Sequence, residues 1–140
     1  MIVCDTGPLV AAAISNDDHH RKCVDLLTSP HLARRKILVP ATVAAEVGYL
    51  LARDGGPGAE TQFLESLADG TFSPVDLRPE DYRRAGELVT AYRDLGLGTT
   101  DATVIALSER LELTEVATID RRHFTIVRPR HVDALVLLPE

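Results

Sequence analysis

Short apolar runs alternate with longer amphipathic stretches along the chain. Three of these runs, 2–4, 37–39 and 115–119, are rich in β-branched residues and have the length of buried strands. The stretches between them repeat apolar residues three or four positions apart, which is typical of amphipathic helices. Strands that alternate with helices predict an α/β protein with three layers, α/β/α, in which a short parallel sheet is flanked by helices.

Proline, glycine and capping signals divide the helical stretches into six predicted helices. They cover residues 8–14, 19–28, 42–51, 59–68, 79–95 and 101–111. The helix over 19–28 is expected to be capped by Asp17 or Asp18. The helix over 42–51 is expected to be opened by Pro40 or Thr42, and the helix over 101–111 to be capped by Thr99 or Thr100.

The remaining apolar runs complete the predicted sheet. The run 71–75 is weakly strand-like, and Pro74 places it at a sheet edge because proline cannot donate a ladder hydrogen bond. The runs 124–127 and 135–138 are expected to be the last strands. A chain of 140 residues without internal repeats is typical of one domain, so residues 1–140 are interpreted as a single unit.

Charge and cysteine content narrow the class of protein. The net charge of −6 argues against a general nucleic-acid coat protein, which would be basic. Acids gathered in one cleft are a different matter, since a bound divalent cation would offset part of their charge. Cys4 and Cys23 are expected to be buried thiols, because metal-ligand spacing is absent. No secretory signal or membrane span is recognisable, so the expected location is the cytoplasm.

Two of the predicted strands end in an aspartate. Asp5 follows the run 2–4, and Asp120 follows the run 115–119. Either aspartate alone is typical of an ordinary turn. The pair is more informative, because the carboxyl ends of parallel strands meet at one edge of the sheet, where open α/β sheets bind ligands.

Two further acids lie on apolar faces of predicted helices. Glu46 follows Val43 by three positions and precedes Leu50 by four, so it points along an apolar stripe. Asp101, in the first turn of its helix, is followed at the same spacing by Val104. The alternatives are that Glu46 lies at the stripe boundary and pairs with an arginine, and that Asp101 only complements the helix dipole.

A carboxylate cluster predicts a site for a hard cation. Its expected members are Asp5, Glu46, Asp101 and Asp120. Clustered carboxylates repel each other, and their oxygen atoms suit Mg²⁺ or Mn²⁺, which can activate water for phosphodiester hydrolysis. The segment Gly96–Gly98 lacks the lysine of a P-loop, which argues against a nucleoside triphosphatase. His19, His20 and His123 are alternative ligands or bases, ranked lower because the carboxylates already complete such a site.

Four segments of the chain match a known family. They are Ile2–Leu9, Val43–Glu46, Thr99–Ala102 and Ala117–Phe124. They resemble the PIN-domain ribonucleases and, within these, the VapC toxins of bacterial toxin–antitoxin pairs. The resemblance covers nearly the whole chain, and its last segment is the most specific. It implies a PIN-like fold and an endoribonuclease that depends on Mg²⁺ or Mn²⁺.

The resemblance also implies a role for each acid. Asp5 and Asp101 match the family's principal metal ligands, and Glu46 and Asp120 complete the pocket directly or through water. It further implies that Thr118, like Thr6, positions the acids or a water molecule.

The surroundings of the site suggest its partners. Arg121 and Arg122 follow Asp120 directly, so we expect them to contact RNA phosphates, with solvated surface arginines as the alternative. Family toxins bind a small antitoxin over the active-site groove and commonly pair as homodimers. The resemblance therefore implies an RNA substrate, a VapB-like antitoxin and a homodimer.

Other proteins that use strand-end acids fit less well. Phosphatases of the haloacid dehalogenase type need an aspartate where this chain has Gly7. Receiver domains need a late lysine, and the only lysines here are Lys22 and Lys36. A catalytically silent PIN-like module that binds RNA or protein remains the alternative function, and the presence of all four acids favours the enzyme.

Overall fold

The computed structural model describes residues 1–140 and contains one sheet of five parallel strands. The strands are β1 (Ile2–Cys4), β2 (Ile37–Pro40), β3 (Ser73–Val75), β4 (Glu115–Ala117) and β5 (Val136–Leu138). They lie side by side in the order β3-β2-β1-β4-β5, so the first strand is central and the strand with Pro74 is at an edge. Because all four pairings are parallel, the carboxyl ends of the strands share one edge of the sheet.

Seven α-helices connect the strands. They are α1 (Thr6–Ala13), α2 (His20–Leu27), α3 (Ala41–Asp54), α4 (Ala59–Ala68), α5 (Pro79–Ala91), α6 (Thr99–Arg110) and α7 (Arg121–Ile126). The helix predicted over 79–95 is divided, since α5 ends at Ala91 and a short 3-10 turn covers Arg93–Leu95. None of these helices combines the length and the apolar character needed to cross a bilayer.

The burial of the central strand shows that helices cover both faces of the sheet. Ile2, Val3 and Cys4 are each 0% exposed. Successive strand residues point to opposite faces, so neither face of β1 is open to water. Helix α6 is the most enclosed helix, with every residue from 102 to 108 buried. The three-layer α/β/α architecture predicted from the sequence is confirmed.

The prediction of a strand at 124–127 is wrong, because residues 124–126 lie in helix α7 and Val127 follows it. Phe124 and Val127 are both buried, whereas Ile126 is 47% exposed. Burial three positions apart is the spacing of a helix, and a strand would bury alternate residues. The β-branched composition of the segment favours a strand, but the tertiary contacts of Phe124 and Val127 override that propensity.

Two helix starts also differ from the predicted caps. Gly98, instead of Thr99 or Thr100, precedes α6, and no side chain caps that helix. His19 precedes α2, and Oδ1 of Asp17 accepts a hydrogen bond from the backbone N–H of His19 at 2.8 Å. These shifts of one or two residues leave the position of Asp101 in the first turn of its helix unchanged.

Candidate active site

Asp5 lies at the carboxyl end of the central strand and is almost completely buried. Its backbone N–H donates to the carbonyl oxygen of Ala117 at 2.9 Å, which extends the pairing of β1 with β4 as far as the acid itself. Asp5 is only 4% exposed. A carboxylate in this environment is costly unless its oxygen atoms find partners.

Thr118 connects the acids that follow β1 and β4. Its hydroxyl donates to Oδ2 of Asp5 at 3.0 Å, and the backbone N–H of Asp120 donates to the same hydroxyl oxygen at 3.1 Å. Thr118 is 1% exposed, so both hydrogen bonds are shielded from water. The parallel pairing thus brings the two strand-end aspartates to the same edge of the sheet.

Asp101 joins this edge from the first turn of α6. Its Oδ2 lies 2.6 Å from Nδ1 of His123, and the same nitrogen atom lies 3.4 Å from Oδ2 of Asp120. The side chains of Asp101 and His123 are each 17% exposed, whereas that of Asp120 is 49% exposed. The cluster therefore runs from a buried acid, Asp5, to a half-exposed one at the mouth of the site.

Glu46 approaches the same cluster from helix α3. It is half-buried, on the helix that also carries the fully buried Val43. Burial is the main cause that raises the pKa of Asp5 and the pKa of Asp101, and the negative charge of Glu46 adds to the rise at both groups. All four sequence-predicted acids therefore belong to one electrostatic cluster.

The negative charges of the clustered acids are only partly compensated by their surroundings. Burial, and then the charge of Asp101, raise the pKa of Asp5 to about 7, although the backbone N–H of Thr6 and the hydroxyl of Thr118 oppose the rise. Burial also raises the pKa of Asp101, and His123 opposes that shift. The hydrogen bond to Asp101 raises the pKa of His123 in turn.

Two buried oxygen atoms at the site have no hydrogen-bond partner. They are Oδ1 of Asp5 and Oγ1 of Thr6. Buried polar atoms are almost always paired, and an unpaired carboxylate oxygen near other acids is suited to a hard dication. Ligand atoms of Asp101, Asp120 and His123 lie within 4.8 Å of one another. The donor set and the unpaired oxygen of Asp5 fit Mg²⁺ or Mn²⁺.

The two arginines predicted to contact RNA lie at the rim of the site. Arg121 and Arg122 are both exposed, in the first turn of α7. The guanidinium of Arg121 donates to the carbonyl oxygen of Pro139 at 3.0 Å. Both arginines are therefore open to a ligand, and Arg121 is held in place by the C-terminal segment.

His123, one of the alternative ligands considered from the sequence, lies in direct contact with two of the acids. In a helix it lies one turn after Asp120, so both side chains face the same direction. His123 was ranked below the acids because four carboxylates already complete a site for a hard cation. A helical interpretation of 121–126, based on the apolar residues Phe124 and Val127, contains the signal that would have found it.

Fold and site together define an α/β protein with a cluster of carboxylates at the carboxyl edge of a parallel sheet. The family profile described as "PIN domain" matches residues 2–128, and the chain belongs to this family. The family resemblance expected from the sequence motifs is confirmed.

Individual relatives support the same grouping. The chain is 30% identical over 128 residues to Ribonuclease VapC26 of Mycobacterium tuberculosis, a match that spans 91% of this chain and 93% of that protein. Among solved structures, the M. tuberculosis toxin VapC20, described as cleaving the sarcin–ricin loop, superposes with a TM-score of 0.73 at 17% identity. That match covers 83% of this chain and 87% of the toxin.

Two complexes share the fold over almost the whole chain. VapBC2 from Rickettsia felis, bound to a DNA fragment from its promoter, gives a TM-score of 0.68 at 19% identity and covers 98% of this chain and 97% of that chain. FitAcB from Neisseria gonorrhoeae gives 0.66 at 17% identity and covers 98% and 96%. These similarities confirm the PIN-like fold.

Proposed function

We propose that this protein is a metal-dependent endoribonuclease and the toxin of a toxin–antitoxin pair. The observation that carries the proposal is Asp5, a nearly buried carboxylate with one unpaired oxygen atom and a pKa raised to about 7 by burial and by Asp101. Such an arrangement is unfavourable in an isolated domain and becomes favourable when a dication binds. The 30% identity to a VapC ribonuclease supports RNA as the substrate.

The proposed metal ligands are Asp5 and Asp101, with Glu46 and Asp120 completing the pocket directly or through water. When bound, Mg²⁺ or Mn²⁺ would supply Lewis-acid activation of a water molecule and stabilise charge on the leaving oxygen of the phosphodiester. Metal binding would require both principal carboxylates to be ionised, so the raised pKa of Asp5 would make the metal affinity depend on pH.

The neighbouring side chains prepare the acids for this role. Thr118 occupies Oδ2 of Asp5 with a hydrogen bond and thereby leaves Oδ1 free for a cation. His123 holds Oδ2 of Asp101 in the same way at 2.6 Å. Partners of this kind fix the orientation of ligands and are needed for full metal affinity. We therefore treat Thr118 and His123 as positioning residues.

The proposed protein partners are a VapB-like antitoxin and a second copy of this chain. The solved structures with this fold include VapBC2 and FitAcB, and each of these names denotes a two-component complex. This similarity supports an antitoxin partner. Large apolar side chains are exposed on adjacent helices, with Tyr49 on α3 64% exposed and Leu64 on α4 53% exposed. Such residues are suited to contacts between proteins.

The decisive experiment compares wild type with Asp5→Asn in two assays. Labelled single-stranded RNA is incubated with Mn²⁺, and Mn²⁺ is titrated calorimetrically into metal-free protein. We expect wild type to cleave RNA, to stop cleaving when EDTA is added, and to bind Mn²⁺ saturably. Asp5→Asn and Asp101→Asn should lose both properties, whereas Asp94→Asn, at an exposed acid in the 3-10 turn, should keep them.

The opposite result would change the functional class. If folded wild type neither binds Mn²⁺ nor cleaves RNA, the acids do not form a metal site and the silent PIN-like binding module becomes the better description. Cleavage that is equal in wild type and Asp5→Asn preparations would indicate a contaminating nuclease.

A further inference from the structure

A small basic cavity lies beside the acidic site. It has a volume of about 90 Å³, and its lining residues are His19, Lys22, Thr118, Ile119, Arg121 and Pro139. Every charged or titratable side chain in this lining is basic, although the chain as a whole carries a net charge of −6. The cavity therefore forms a local positive surface on an acidic protein.

The cavity shares a wall with the acidic site. Thr118, which lines the cavity, donates its hydroxyl hydrogen to Oδ2 of Asp5 at 3.0 Å. A ligand in the cavity is thus separated from the buried acid by one side chain. A polymer with negative charges at regular intervals can reach both places at once.

Hydrogen-bond donors in the cavity are still available. Arg121 uses one of its five N–H donors to bind the carbonyl oxygen of Pro139, and Lys22 takes part in no ion pair. Two of the acids near Lys22 in the sequence have other partners: Asp17 accepts a hydrogen bond from the backbone N–H of His19 at 2.8 Å, and Asp25 pairs with Arg21 at 3.8 Å. A cavity of 90 Å³ holds several water molecules, which a phosphate group can displace.

We propose that this cavity binds a phosphate of the RNA strand next to the phosphodiester held at the acidic site. The inference deepens the proposed function and rests on it. Carboxylates around Asp5 repel the RNA backbone, so an adjacent positive contact is needed to hold the strand, and phosphate contacts fix its register. Arg122 does not line the cavity, so we expect Arg121 and not Arg122 to bind this phosphate.

The test measures RNA affinity in the variants Lys22→Gln and Arg121→Gln and in the double variant. The probe is a fluorescein-labelled single-stranded RNA of mixed sequence, about 12 nucleotides long, within the usual span of such sites. Fluorescence anisotropy is recorded with Ca²⁺ in place of Mn²⁺, and a gel checks that the RNA stays intact. We expect the double variant to bind the RNA about tenfold more weakly, because it loses the charge-assisted contact with one phosphate. The slope of the logarithm of the binding constant against the logarithm of the salt concentration should decrease in magnitude by about 0.7, the value for one phosphate contact on a single strand.

Matched controls distinguish a local contact from a general effect of charge. The double variant Arg34→Gln and Lys36→Gln removes the same charge from exposed residues before β2, at the amino edge of the sheet, and should bind RNA like wild type. Lys22→Arg should also keep the affinity. Mn²⁺ titration of all variants should give the wild-type affinity, since none of them changes an acid.

Three results would overturn the inference. The first is unchanged RNA affinity in the double variant Lys22→Gln and Arg121→Gln while wild type binds. The second is an equal loss in the Arg34 and Lys36 control. The third is tighter binding of a glutamate-rich peptide than of RNA at the cavity, which would assign it to a protein ligand. If wild type does not bind RNA at all, the proposed function fails first and the inference with it.

Discussion

The hydroxyl of Thr118 donates to the carboxylate of Asp5 at 3.0 Å, and neither residue is open to water. This hydrogen bond fixes one oxygen atom of Asp5 and leaves the other without a partner. A single hydroxyl thereby decides which oxygen atom of the buried acid is available to a cation.

Replacing Thr118 by valine tests this relationship. Valine keeps the shape of the side chain and removes the donor, so Asp5 loses one of the contacts that stabilise its ionised form. We expect Mn²⁺ affinity and RNA cleavage to fall about 10- to 100-fold, as is usual when a ligand loses its supporting hydrogen bond. Calorimetric titration measures the affinity. Thr118→Ser, which restores the hydroxyl, should recover most of it, and wild-type affinity in the valine variant would contradict the role.

The raised pKa of Asp5 predicts how stability depends on pH. In the metal-free protein this pKa is about 7, raised from 3.8 by burial and by Asp101. Between these values the folded state holds a proton that the unfolded state has released. The contribution of Asp5 is therefore complete below about pH 4 and is lost as the pH rises to about 7. The loss amounts to roughly 2–4 kcal/mol in the free energy of unfolding.

Urea denaturation of metal-free protein between pH 4 and pH 8.5 measures this dependence. Asp5→Asn carries no charge to bury, so it should be more stable than wild type at pH 8 and should lose less stability between pH 4 and 7. Saturating Mn²⁺ should stabilise wild type and leave Asp5→Asn unaffected. Parallel changes in the metal-free stability of wild type and Asp5→Asn between pH 4 and 8.5 would contradict the burial of an ionisable acid at this position.

His123 predicts a second effect on metal binding. Its Nδ1 lies 2.6 Å from Oδ2 of Asp101, and the interaction opposes the rise in the pKa of that acid, of which burial is the main cause. His123→Phe keeps an aromatic ring and removes the donor. We expect about tenfold weaker Mn²⁺ binding in this variant. His123→Gln, which can still donate to Asp101, should lie closer to wild type. Equal affinities in all three proteins would exclude a positioning role.

The close approach of Ile119 to Gly7 predicts that a side chain at position 7 would destabilise the fold next to the site. A Cβ atom at this position would lie 2.5 Å from Cγ1 of Ile119, on the segment that leads from β4 to Asp120. We expect Gly7→Ala to reduce the free energy of unfolding by about 1–3 kcal/mol, the usual cost of overpacking. Thermal and urea unfolding measure the loss. The matched control is Gly86→Ala on α5, where nothing lies within 4 Å of the added atom and the change should be neutral or stabilising.

The double variant Gly7→Ala and Ile119→Ala shows whether the clash is the cause. With the contacted atoms of Ile119 removed, Gly7→Ala should hardly change the free energy of unfolding. The losses in the two single variants should therefore not add in the double variant. Additive losses would indicate that Gly7 matters for another reason.

The parts of the site that local sequence determines were predictable. Asp5 and Asp120 each follow a short β-branched run, and a parallel sheet brings such ends together whatever the rest of the chain does. Glu46 and Asp101 were visible because a charged residue on an apolar face requires a partner. The motif segments then identified the family without any structural information.

The parts that depend on distant contacts were not predictable. His123 joins Asp101 only because residues 121–126 form a helix, and their β-branched content favours the opposite assignment. The basic cavity requires α2 to approach the end of β4, so that Lys22 meets Arg121 across most of the chain. No periodicity or spacing encodes that approach, because it results from packing of the whole molecule.

The route of the chain through the sheet also determines when the proposed nuclease can become active. Asp5 and Thr118 are 113 residues apart, and the acid is completed only when β4 has docked beside β1. Contacts between residues so far apart in sequence cost more loop-closure entropy than local contacts and slow folding. A growing chain whose β4 is still inside the ribosome therefore has no assembled site, so the proposed nuclease cannot act before its fourth strand has emerged and docked beside β1.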